Sequence, residues 1–109
     1  MAKRDGAWLC RLEQDGKLLE ASTDDLTLDQ LDVAERVSGV PWPLMNPAGS
    51  VRVARALFAV LMIRAGMDED EAVRRCGELT AVKLHGAFEW IPPEDPLPAT
   101  PAEAADPPG

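Results

Sequence analysis

The sequence has no tyrosine, one histidine (His85), two cysteines (Cys10 and Cys76) and no base in its last 18 residues. Nucleophilic catalysis needs a thiol or hydroxyl held beside a base, and the candidate pairings are Cys10 with His85 and Cys76 with His85. Nothing in their spacing supports either, so no enzymatic activity is expected. The cysteines lie 66 positions apart, with no CxxC and no second histidine, so neither a zinc site nor a disulfide framework is indicated. Both are expected to be buried, reduced thiols. Asp68-Glu69-Asp70-Glu71 lacks the alternation and central glycine of a calcium loop, and no glycine-rich loop runs into Lys-Ser or Lys-Thr. No cofactor is expected. The longest apolar run, Ala56 to Ile63, is eight residues between Arg55 and Arg64, whereas a bilayer span needs about 20. The charged N-terminus leads into too short an apolar stretch for a signal peptide, so the expected compartment is a cytoplasm. Bases are also scarce, 11 against 19 acids for a net charge of -8. That deficit disfavours nucleic-acid binding, which relies on surplus Lys and Arg at phosphates.

With 109 residues, the chain can bury roughly two thirds of its unfolded surface, enough for one modest core but hardly for a deep cleft as well. Seven of the ten prolines fall between Pro92 and Gly109, together with four acids. That composition cannot build a core. The expected organisation is therefore a single folded domain over 1-91 and a disordered Pro/Ala/acid tail over 92-109. The tail reads either as a solubilising terminus or as an arm that orders on a partner.

Local signals give the elements. Asp15-Gly16 between two short apolar stretches predicts a β-hairpin over 8-21. Trp8, Cys10 and Leu12 share one face, while Leu18-Leu19 blurs the second strand. Thr27 with Gln30 forms a capping box, Leu26 and Leu31 a hydrophobic staple, and Gly39 a left-handed stop. A helix over 28-38 follows, with Leu28, Leu31, Val33, Ala34 and Val37 facing inward. Val40-Pro41-Trp42-Pro43 predicts an extended linker holding a tryptophan. A second helix, about 47-65, is capped by either Asn46 or Ser50 and is apolar almost all round, so it must be sandwiched. Asp68, with Glu71 at the third helical position, opens a third helix over 69-76. A fourth helix is predicted over 80-90. The fold class expected is mainly α with a small N-terminal β-hairpin (α+β), with three to four short helices.

The aromatics are Trp8, Trp42, Trp90, Phe58 and Phe88. Trp42 and Trp90 sit beside prolines, where a ring can remain exposed and serve as an interface anchor. The alternative is that all three tryptophans close the core.

The order of hairpin, Leu26-to-Gly39 helix, apolar helix and acid-capped helix resembles the tail assembly chaperones of long-tailed, siphovirus-like bacteriophages over roughly residues 8 to 91. In that family a Leu-Thr-Leu-x-x-Leu stretch opens a helix that closes at Thr/Ser-Gly, as here; Gln30 stands where an acid is common. The resemblance implies a non-enzymatic factor that coats the tape-measure protein, helps recruit tail-tube protein, acts in the host cytoplasm and leaves before the virion matures. Such work calls for an apolar groove in an acidic exterior. The expected partner-binding residues are Trp42, Leu44, Phe58, Leu61 and Trp90. Homo-oligomerisation is compatible with that role. Two other functions remain as alternatives: a structural virion component such as a neck, tail-terminator or minor tail protein, and a small helix-turn-helix regulator using Arg52, Arg55, Arg74 and Arg75, which the acidic charge disfavours.

Overall fold

The computed structural model describes residues 6-93. The tail expected from residue 92 onward therefore lies, from residue 94, outside the described residues. Local turn chemistry sets the first unit. Asp15 (φ 53°) and Gly16 (φ 77°) both take positive φ, the geometry a two-residue hairpin turn needs to follow the twist of its strands. They join β1 (Ala7–Gln14) to β2 (Lys17–Ser22) in antiparallel register, with Gln14 opposite Lys17. Cys10 faces Ala21 and Leu12 faces Leu19 across the pair. This resolves the ambiguity at Leu18-Leu19: Leu19 packs inward, and Leu18 on the opposite face is exposed.

The first helix, α1 (Leu28–Ser38), starts on a complete capping box. Thr27 Oγ1 accepts the Gln30 N–H at 3.2 Å, and Gln30 Oε1 accepts the Thr27 N–H at 3.0 Å. It ends where Gly39 takes φ 74° and donates its N–H to Glu35 O at 2.8 Å. Its inward face is narrower than periodicity predicts. Val33 and Ala34 are buried, but Leu28 is 83% exposed at the helix's open first turn.

The second helix, α2 (Val51–Arg64), is capped by Ser50, whose Oγ accepts the Val53 N–H at 3.3 Å. The predicted start at 47 is too early by one turn, because Asn46 spends its side chain on the Ala48 N–H, closing a separate turn over Pro47-Gly49. Every residue from Ala56 to Met62 is buried. Such a helix needs neighbours on several sides, and α1, α3 (Glu69–Cys76) and β1 supply them. Ala34, Ala56, Ala59 and Ala72 are fully buried in the same core; side chains this small let the helix axes approach closely. At the start of α3, Asp68 accepts the Asp70 N–H at 3.1 Å. Glu71 does not reach back to complete a box. It accepts instead from Arg74 and Arg75, each at 2.8 Å.

The fold class needs correction at the C-terminal end. No fourth helix spans 80-90. Ala81–Leu84 forms a single 3-10 turn, Gly86 takes φ 70°, and Phe88–Ile91 is a third strand, β3. A β-branched and glycine-interrupted segment is a poor helix, and alternation that sets Phe88 and Trp90 on one face and Glu89 on the other suits an edge strand. β3 pairs antiparallel with β1, Trp8 opposite Trp90 and Cys10 opposite Phe88, giving the order β2-β1-β3. The described residues form an α+β domain of three α-helices and a three-stranded antiparallel sheet, rather than a mainly helical protein with a hairpin. The outer face of that sheet is held by Arg11, which donates to Glu20 on β2 at 2.8 Å and to Glu89 on β3 at 3.1 Å.

Candidate interaction surface

The third strand decides where the tryptophans go. Pairing across β1 and β3 sets Trp8 and Trp90 edge to face, ring centroids 5.1 Å apart and planes at 60°, a favoured arrangement for aromatic quadrupoles. Gly6 lies directly against the Trp90 ring, so closely that a Cβ at this position would overlap it. Thr23 is buried and its Oγ1 accepts the Trp8 N–H at 3.0 Å, pinning the start of β1.

Trp42 arrives from the other side. The linker is not extended throughout, because Pro41-Trp42-Pro43-Leu44 closes a 3-10 turn at Trp42–Leu44. Proline is tolerated early in such a turn because the N–H it lacks would have no partner there. Glu35 on α1 fixes the turn by accepting the Trp42 N–H at 2.7 Å. Trp8, Trp42 and Trp90 then line one cleft of about 410 Å³ with Met45, Pro47 and Leu57. Pro47 continues into a second depression of about 390 Å³ bounded by Val51, Leu84 and Phe88. Val51 and Leu84 in turn border a third, of about 300 Å³, that includes Phe58 and Leu79. Through these shared residues the three depressions adjoin as a mostly apolar belt from the sheet end to the start of α2.

The five predicted partner-binding residues divide. Trp90 is 48% and Leu44 72% exposed, and Trp42 is half-buried at the cleft. Phe58 and Leu61 are only 2% and 3% exposed. Leu61 belongs to the core and Phe58 forms a floor, stacked on Phe88 with centroids 5.3 Å apart, so a surface groove made of Trp42, Leu44, Phe58 and Leu61 does not exist. Trp8, Met45, Pro47, Val51 and Leu84 also line these depressions and were not among the expected partner-binding residues. The one available signal was the shared hydrophobicity of Trp8 and Trp90, which becomes a contact only through the β1-β3 pairing.

The remaining chemistry-bearing groups lie elsewhere. Cys10 is buried under the sheet, where loss of solvation pushes its thiol up to about 12. Cys76 is buried too, with its Sγ 3.0 Å from Val73 O. His85 is exposed at the end of the 3-10 turn. Arg74 and Arg75 are engaged by Glu71, Glu78 and Asp15, which leaves little free positive charge on α3. The two arginines hold the Glu71 carboxyl below its ordinary range, the Arg74 hydrogen bond most of all. Among the described residues no group of three or more His, Cys, Asp and Glu is placed to hold a metal ion, and no helix is long and apolar enough to cross a membrane. Comparison with protein-family models, curated proteins and solved structures finds no match to this chain.

Proposed function

We propose that this protein is a tail assembly chaperone of a long-tailed phage, a non-enzymatic factor that shields apolar segments of the tape-measure protein in the host cytoplasm and assists recruitment of tail-tube protein. The observation that carries the reading is the apolar belt, with Trp42, Trp90 and Val51 at its surface and exposed Leu44 two residues from Trp42, on a chain that bears a net charge of -8. Rigid aromatic rings bordering a cleft suit capture of an apolar helix face, and the net negative charge of the chain discourages self-association. The order of elements that resembles the chaperone family supports the same conclusion.

Co-expression with the tape-measure protein encoded beside it is the test. Co-purification, with a larger soluble fraction of that partner, is expected. Failure of both overturns the proposal. Presence in purified virions at fixed stoichiometry would assign the chain to the particle's structure instead.

A further inference from the structure

The sheet stops at β3. In the order β2-β1-β3 this strand is bonded on one side only among the described residues. The Arg11 N–H donates to Ala87 O at 2.8 Å. Antiparallel alternation therefore turns the backbone groups of Glu89, opposite Leu9, toward β1, and turns the N–H and C=O groups of Phe88 and Trp90 away from it. An edge with such outward groups is a template for a further strand.

The flanks of this edge specify the strand that fits. Trp90 borders the cleft of about 410 Å³ with Trp42 and Met45, and Phe88 borders the depression of about 390 Å³ with Val51 and Leu84. An added antiparallel strand sets the residues opposite Trp90 and Phe88 on this same face, about 7 Å apart, so two apolar side chains at alternate positions enter the two depressions. The residue between them falls opposite Glu89 on the outer face. There Arg11 serves both Glu20 and Glu89, one cation for two carboxylates, and the Glu89 side chain is 60% exposed. A base at the middle position answers that charge. A second copy fits badly, because pairing Phe88 with Trp90 across a two-fold axis sets Glu89 beside the Glu89 of the second copy. The chain's own sequence from Pro92 to Gly109 fits badly too, since it holds seven prolines, which cannot donate to a ladder, and no base.

We infer that β3 accepts, as a fourth antiparallel strand, an extended segment of another protein that reads apolar-base-apolar, its apolar pair seated beside Trp90 and Phe88 and its base at Glu89. This ligand is a strand rather than the helix face of the chaperone proposal. The inference does not rest on that proposal and is tested without the tape-measure protein.

The probe is the acetylated and amidated peptide Thr-Ile-Lys-Val-Thr, read out by amide hydrogen exchange in the full-length protein. Without peptide, the Phe88 and Trp90 amides should exchange faster than that of Glu89. Peptide at about ten times its Kd should slow both about tenfold, leaving the Leu18 and Glu20 amides at the β2 edge unchanged. Methylating the Ile and Val nitrogens of the peptide removes the donors to Trp90 O and Phe88 O and should abolish binding, as should glutamate in place of its lysine. E89K should reject the lysine peptide and bind the glutamate one; the peptide changes carry the test on the unaltered protein if E89K does not fold. No slowing at Phe88 and Trp90 with millimolar peptide overturns the inference. Binding indifferent to N-methylation or to the lysine overturns it as well, because side chains alone would then be captured in the belt. Phe88 and Trp90 amides already protected in the free protein also overturn it, assigning the edge to the chain's own termini, or to a second copy where protection grows with protein concentration.

Discussion

Two aromatic residues one element apart illustrate how exposure separates roles. Trp42 borders the cleft half-buried and is held by a backbone bond to Glu35, whereas Phe58 is 2% exposed beneath Phe88. W42A keeps the backbone bond, so under the proposed chaperone function it should weaken capture of the tape-measure protein at least tenfold, about 1.4 kcal/mol, while lowering melting temperature little. F58A should instead destabilise by about 3-5 kcal/mol. Pull-down titration alongside thermal unfolding distinguishes the two, and the opposite pattern would return Trp42 to the core. Cys10 supplies a second prediction. Burial pushes its thiol up from the ordinary 9.0 to about 12, so between those values the folded state holds the extra proton. Stability should therefore fall with rising pH in that window, by up to about 1.4 kcal/mol per pH unit from this group. Replacement by Ala removes that slope in urea titrations at pH 8 to 11, while leaving a small cavity penalty at every pH.

At the scale of elements, short-range chemistry made the hairpin and the helix starts legible. Asp15-Gly16, Thr27 with Gln30, Gly39 and Asp68 each act within four residues, where steric limits and capping bonds leave few alternatives. T27A should remove one half of the box and cost about 1 kcal/mol. A urea midpoint unchanged by T27A would show that tertiary packing alone sets this end of α1. The segment 80-90 was not legible for the opposite reason. Leu84, Phe88 and Trp90 are spaced ambiguously between helix and strand, and only hydrogen bonding to β1, about 80 residues earlier in the chain, selects the strand. The start of α2 was similarly ambiguous, because Asn46 and Ser50 are both good caps and the choice depends on the turn over Pro47-Gly49.

For the whole molecule, net charge governs association. Near pH 4.5, the isoelectric point of the sequence, mutual repulsion vanishes and the exposed belt should drive self-association. Light scattering should rise on lowering pH from 7 to 4.5 and fall again with W42A; scattering unaffected by the substitution would place the contact elsewhere. The sequence by itself determined the acidic character, the hairpin turn, the helix caps and the need to enclose α2, since each follows from residue type and near-neighbour spacing. Tertiary structure alone decided that Phe58 and Leu61 face the core while Trp8, Trp42 and Trp90 share one cleft. The reason is physical: burial and strand pairing depend on which distant surfaces meet, and a tryptophan has the same hydrophobicity whether the third strand covers it or leaves its edge in water.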